Sequence, residues 1–492
     1  LVSERHTFYG QEVVSVTVIS NKNSRRNANV LRMQAEVANQ YTSDKFSWSE
    51  QDIQRYVKDT EQKRRVVVLG TGWASHALVK SLKTKFQEVI IVSPRSYFLF
   101  TPMLPATAVG TVDFRSIIDP IKTAKPDATY FEASCESVDF KNKRLVCKGM
   151  NGEMFSLEYD TLVIGVGARP NTFGIEGVED HCYFLKQIDD ATRIRSKVMD
   201  CMETANYPST CEEERDRLLH FVVVGGGPTG VEFTAELFDF LSKDLKRSFP
   251  GIAKHARITL FQSGAEVLPM FDATLREFAL KNLVKNNIAV RTNTRVKEVT
   301  STEIILNTGE KVPFGLCVWA AGVATIPLVR KLIEEVREDN GGNRDLQPLD
   351  ARLTVDPFLR VKGVQDVYAL GDCAIVSGWG NALPMTAQVA AQQAEYLASK
   401  LNKLAQGEPF DKAFLRPFSF LNLGMLTYVG EDKALAQFED PVYGFNLGLH
   451  GYATWLLWRS VYVTKQVSLR CRVLVLFDFF KTWVFGRDIS RF

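Results

Sequence analysis

The chain has 492 residues, of which 45% are hydrophobic, 24% charged and 11% aromatic, a globular composition that excludes collagen-like, low-complexity and disordered classes. At about 150 residues per domain the length allows roughly three domains. Sixty Lys and Arg against 57 Asp and Glu leave +3 at pH 7, too balanced for a nucleic-acid binder, although residues 445–492 are the basic part of the chain.

Residues 1–62 mix Asn, Ser, Gln and both charges without periodicity and read as an N-terminal extension. Leu at position 1 in place of Met suggests a removed leader and import into an organelle. After Arg64-Arg65 the apolar run VVVLG predicts a strand, the glycines a tight turn, and Trp73 to Thr84 a helix; EVIIVS, ending at Ser93, completes a βαβ unit. The turn GTGWAS puts Gly70, Gly72 and Ser75 at the three positions of GxGxxG. The first position needs a tight turn, the second close approach to a pyrophosphate, and the third a small side chain for helix packing. At the end of the second strand, where an acid usually meets the adenosine ribose, stand Ser93, Pro94 and Arg95. The hydroxyl can bond a ribose oxygen and Arg95 can face the pyrophosphate; a plain turn is the alternative. The run LVIGVGARPN after Thr161 reads as another buried strand, with a glycine turn at Gly165.

A second βαβ unit begins at Phe221 with FVVVGGGPTGVEFTAEL, where Gly225, Gly227 and Gly230 fit the fingerprint fully. Glu232 follows in what the pattern makes the first helical turn, where the dipole favours its ionised form. It either caps the helix or faces the inter-domain cleft and positions a nicotinamide or relays a proton. Gln262 ends the second strand, ARITLFQ, where NAD-specific folds carry an acid. An amide does not repel a 2′-phosphate, yet no Arg follows to attract one, so either NADH or NADPH fits.

CVWAAGV and DVYALGD read as two more strands, and the loop at 337–345 between them as a solvated turn lacking calcium-loop spacing. Asp372 can accept hydrogen bonds from a flavin's ribityl hydroxyls or cap a turn. From Thr386 a helix is expected, with Gln388 and Gln392 one turn apart, offered to a carbonyl ligand or to solvent. The tail after Phe445 sets Trp455, Trp458 and Trp483 among aliphatics and bases, the pattern of a helix at a lipid interface. A dimer interface is the alternative, and the two are compatible. The eight cysteines are scattered with no CxxC and no obvious partners, and no metal site is written.

Together SPRSYFLFTPMLP, GGGPTGVEF, ALGD, PMTAQVAAQQAEYLA and the ending from LLWRSVYVTKQ resemble the type II NADH dehydrogenases, the single-subunit NADH:quinone oxidoreductases of mitochondria and bacteria, over roughly residues 64–492. The resemblance implies an α/β protein with two Rossmann-like dinucleotide-binding domains of the disulfide-reductase-like fold and a C-terminal membrane-attachment domain ending in amphipathic helices. The expected parts are an extension at 1–62, a FAD-binding domain at 63–181 and 326–405, a NAD(P)H-binding domain at 182–325, and a membrane-anchoring or dimerisation domain at 406–492. It implies non-covalent FAD on Gly70, Gly72, Arg95, Thr101, Pro102 and Asp372, with Ser75, Ser93 and Gly165 in the same turns. The nucleotide is expected on Gly225, Gly227, Gly230, Glu232 and Gln262, with Gly322 nearby. Ubiquinone is expected beside Ala387, Gln388 and Gln392 under the tail. Ala391 stands where some relatives carry a His, so that proton donor is absent. The expected setting is peripheral, on the mitochondrial inner membrane, as a homodimer, with non-pumping electron transfer. Disulfide reductases are disfavoured because no Cys lies between Gly70 and Cys135, and sulfide:quinone oxidoreductases because no reactive pair is evident. A signalling flavoprotein of the apoptosis-inducing-factor kind is the rival of another class.

Overall fold

The computed structural model describes residues 7–8, 11–12, 17–20, 63–348, 352–378, 382–440 and 445–490, the first three segments as backbone strands only. The first glycine turn joins β1 (Arg64–Leu69) to α1 (Trp73–Ser81), which leads to β2 (Gln87–Ser93). β3 (Thr129–Asp139), β4 (Arg144–Gly149) and β5 (Met154–Glu158) extend one side of the sheet and β6 (Thr161–Ile164) the other. The order is β5-β4-β3-β2-β1-β6 plus a seventh strand, Val367–Ala369, which arrives from far down the chain and pairs parallel to β6. β1 and β6 bury nearly every side chain, as a central parallel strand covered on both faces must.

The second sheet is built after α2 (Ile188–Ala205) from β7 (His220–Val224), α3 (Pro228–Asp239), β8 (Arg257–Phe261) and β9 (Leu316–Trp319). β9, β7 and β8 are parallel neighbours, with the short strands Tyr183–Phe184 and Ala289–Arg291 at the two edges. The chain crosses between the two sheets twice, and the crossings pair antiparallel, Ala168–Pro170 with Val323–Thr325. Val367–Ala369, here β10, then returns to the first sheet, and α4 (Ala387–Ala405), capped by the Thr386 hydroxyl, packs on α1.

The remainder is a sheet of β11 (Met425–Gly430), β12 (Lys433–Asp440) and β13 (Phe445–Gly451), joined at its edge by the strand Thr17–Ser20, and two helices, α5 (Tyr452–Thr464) and α6 (Leu469–Phe485). α6 is pinned to the segment 111–118 by polar contacts. Arg470 Nη1 donates to the carbonyls of Arg115 and Ile118 (both 3.3 Å), Asp478 Oδ2 accepts from Asp113 N (3.0 Å), and the Thr482 hydroxyl donates to Thr111 O (3.0 Å). Just past its end Arg487 is buried between two acids of the second unit, 3.0 Å from Glu236 and 2.9 Å from Asp244. Arg487→Met would strand both carboxylates and cost about 3–5 kcal/mol, read as a lower denaturation midpoint in urea.

Candidate functional site: two dinucleotide cradles and the helix between them

The two glycine turns obey one geometry. Gly70 (φ +96°) and Gly225 (φ +118°) are left-handed, and a Cβ on either would stand 2.6 Å from a carbonyl of the neighbouring strand end, Gly165 or Ala320. Gly72 and Gly227 are the N-caps of α1 and α3; a Cβ on either meets nothing within 4 Å, and neither helix start has a side-chain cap. That leaves amides and helix dipoles facing an open cradle, the arrangement that receives a pyrophosphate. The third positions do packing. The buried Ser75 hydroxyl bonds Leu69 O (3.0 Å) and Gly165 O (3.1 Å), and a Cβ on Gly230 would sit 1.9 Å from Gly225 O.

Around the first cradle, Ser93 shares a hydrogen bond with the buried Thr71 hydroxyl (3.3 Å) and accepts from Arg95 N (3.2 Å). The Arg95 guanidinium donates to Tyr97 O (3.1 Å) and Gln187 Oε1 (2.7 Å), and burial lowers its pKa. Thr101 and Pro102 form a 3-10 turn in which the Thr101 hydroxyl accepts from Trp73 Nε1 (3.0 Å). Asp372 lies on the turn Gly371–Cys373, held by Gln393 Oε1 accepting from Gly371 N (2.7 Å). Thr71, Trp73 and Gln393 belong to this neighbourhood and carry no motif signal; Trp73 and Thr71 lie inside GTGWAS, and only the fold shows which way they turn.

In the second cradle Gln262 ends β8 with its amide engaged, accepting from Gly226 N (3.0 Å) and donating to Glu266 O (3.1 Å). Gly322 is left-handed at the crossing, where a Cβ would press on Phe173 at 3.1 Å. Glu232 departs from its sequence reading. It is the fifth residue of α3, past the first turn, and it is buried rather than exposed as a cap. Its Oε1 accepts from Tyr428 N (3.1 Å), with Thr427, Trp458 and Tyr462 around it. Burial, not the dipole, decides its charge and pushes its pKa up to about 8. Glu236 and Asp239 continue the same face, Glu236 accepting from the Thr111 hydroxyl (2.8 Å) and Asp239 from the Tyr428 hydroxyl.

Gln388 and Gln392 face neither solvent nor an open pocket. Gln388 accepts from Leu423 N (3.1 Å) and donates to Gly424 O (2.7 Å); Gln392 accepts from Leu421 N (2.9 Å) and donates to Leu421 O (2.8 Å). Tyr396, one turn on, donates to Arg416 O (2.9 Å), so α4, with Ala387 as its first residue, holds residues 416–424 by their backbone. The cysteines also need correction, because Cys182 and Cys317 have sulfurs 3.4 Å apart and Cys135 lies opposite Cys147. The hydrogen bond with Cys182, and then burial, raise the Cys317 thiol and so disfavour its reactive thiolate.

Two cradles of this kind in one chain define a two-dinucleotide oxidoreductase. Residues 64–394 match the family described as pyridine nucleotide-disulphide oxidoreductase, and residues 422–488 the NDH2 C-terminal domain. A probable NADH dehydrogenase of Dictyostelium discoideum is 40% identical, covering 88% of this chain and 92% of its own. An internal alternative NAD(P)H-ubiquinone oxidoreductase A1 of Solanum tuberosum mitochondria is 38% identical over 88% and 89%. The structure of NDH2 from Plasmodium falciparum in complex with NADH superposes with a TM-score of 0.80 at 29% identity, over 87% of this chain and all of that one. The chain belongs to the type II NADH:ubiquinone oxidoreductases, the NDH2 family.

Two substitutions separate packing from binding. Gly230→Ala drives a Cβ into backbone and should lower the melting temperature by several degrees, whereas Gly227→Ala should melt normally and lose NADH affinity at least about tenfold. Glu232 gives a pH signature. Because its folded pKa lies above the ordinary glutamate value of 4.5, its contribution to stability is fully present below about 4.5 and lost as pH rises through about 8. Glu232→Gln should therefore flatten the fall in melting temperature between pH 5 and 8 and, at pH 9, melt above the parent in a calorimeter.

Proposed function

We propose that the chain is a single-subunit flavoenzyme that takes a hydride from NADH, with NADPH a possible second donor, and reduces ubiquinone at a membrane surface without pumping protons. The observation that carries this reading is the pair of open glycine cradles on a chain whose last helix turns an apolar face outward. Residues 63–181 and 326–405 would hold FAD and residues 182–325 the nicotinamide nucleotide. The residues present fit the flavin. Gly72 leaves the room a pyrophosphate needs, the start of α1 supplies amides, Arg95 supplies positive charge, and Asp372 is an acceptor for hydroxyls. Bound there, a flavin would supply the two-electron chemistry that links a hydride donor to a quinone. The chain's own part is placement. Gly227 lets the nucleotide's phosphates approach α3, Gly230 lets α3 pack against the strand end, Gln262 is neutral where an acid would repel a 2′-phosphate, and Glu232 fixes α3 against the C-terminal sheet. Gln388 and Gln392 would border the quinone by fixing the strap at 416–424 beside them.

Attachment to lipid rests on α6. Asp478 and Thr482 are used inward, while Leu469, Val473, Phe477, Phe480 and Trp483 point outward, Trp483 79% exposed. On α5, Arg459 is sandwiched between the rings of Trp455 and Phe479 at 4.3 and 4.1 Å, so its charge is engaged within the C-terminal pair of helices. Among the described residues no helix is long and apolar enough to cross a membrane, so the contact proposed is peripheral. The mitochondrial names of the relatives support a mitochondrial setting; the inner membrane as its place and a homodimer through residues 406–492 belong to the same proposal.

Anaerobic NADH should bleach the flavin absorbance near 450 nm and a short-chain ubiquinone should restore it rapidly; bleaching without recovery would favour the signalling rival. Phe477→Glu with Trp483→Glu should lower co-sedimentation with liposomes at least about tenfold and leave bleaching by NADH unchanged. Undiminished liposome binding would remove the tail assignment.

A further inference from the structure

The crossing from the first unit into the second touches two of the residues proposed for the flavin, and it does so through the adjacent positions 186 and 187. Gln187 Oε1 accepts from Arg95 Nη1 at 2.7 Å, and Lys186 Nζ lies 3.7 Å from Asp372 Oδ2. Neither contact is carried by a motif. Arg95 follows the second strand of the chain, and Asp372 comes from its far end.

The crossing is rigid where these side chains leave it. Gln187 is the N-cap of α2 and forms a reciprocal capping box with Asp190. The backbone N–H groups of Lys186 and Gln187 both donate to Asp190 Oδ2, at 2.9 and 2.8 Å, and Leu185 and Ile188 are buried on either side. Asp372 is equally fixed by the bond from Gly371 N to Gln393. Both charged groups are mostly covered, with side-chain exposures of 31% and 19%, so solvent weakens their attraction less than on an open surface.

We infer that Lys186 is a positioning residue of the flavin site, neutralising Asp372 so that its carboxylate can accept the polyol hydroxyls of a phosphorylated flavin without its charge opposing the ligand's phosphates. The inference rests on the reading that Asp372 and Arg95 face the flavin. It explains why a cation stands beside a carboxylate whose ligand is itself an anion: Lys186 turns a like-charged pocket wall into a neutral acceptor. One positive charge held at the site also favours the reduced, more negative form of the ligand.

The test uses the flavin-loaded enzyme and its Lys186→Gln, Lys186→Arg and Asp372→Asn variants. Flavin release on dilution is followed by recovery of flavin fluorescence, and the midpoint potential by dye-coupled titration. Lys186→Gln should raise the flavin dissociation constant about tenfold and move the potential to a more negative value, while Lys186→Arg should restore most of both. Combined with Asp372→Asn, Lys186→Gln should add little further loss, because the charge it neutralises is gone. A Lys186→Gln enzyme that keeps flavin and potential while Asp372→Asn sheds the flavin overturns the inference and leaves the site standing. If Asp372→Asn also keeps its flavin, the site assignment itself falls. A loss of melting temperature in Lys186→Gln that is equal with and without flavin assigns the residue to structure alone and likewise overturns the inference.

Discussion

Glu232, Glu236 and Asp239 put three carboxyls on one face of α3, and a buried face of that kind exists only if another part of the chain brings donors to it. The C-terminal region does so with Tyr428, Arg487 and the indole and phenol rings of α5, and Thr111 comes from the first unit. Three portions of the chain thus meet on one helix, and that helix is the one that begins at the nucleotide cradle. Displacing the C-terminal helices would expose Glu232 to water and let it ionise, so the position of those helices and the charge beside the nucleotide helix are linked.

Much of this was legible in the sequence. The strand runs VVVLG and FVVV and the glycine spacing locate both cradles, because a turn that must admit a pyrophosphate permits few residue types, and the structure shows the same close carbonyl and the same open middle glycine in each. The helix from Thr386 and the outward apolar face of the tail follow from composition and periodicity. What sequence could not show was partnership at long range. The spacing of Glu232 left a capping charge and a cleft-facing acid equally open, because the sheet that buries it lies some two hundred residues on. Gln388 and Gln392 read as ligand or solvent residues because a strap of backbone leaves no pattern of side chains. The Cys182 and Cys317 contact depends on two strands brought side by side, which no spacing motif records.

The two cradles also differ in a way that matters for chemistry. The first is bordered by residues from three separate stretches, at 71–102, 186–187 and 371–372. The second is built from one continuous βαβ unit, with Gln262 holding its rim. A tightly held prosthetic group suits the first construction and an exchanging substrate the second, which is the division of labour that membership in the NDH2 family requires.

The closing strand of the first sheet, Val367–Ala369, carries a consequence for biogenesis. Synthesis, or threading through an import pore, delivers residues in order, so the second sheet is complete by Trp319 while the first still lacks its edge, Asp372 and the helix that packs on α1. Of the two sheets, the one begun first is finished last, and a flavin that meets the emerging chain lacks part of its proposed site until Asp372 has been delivered.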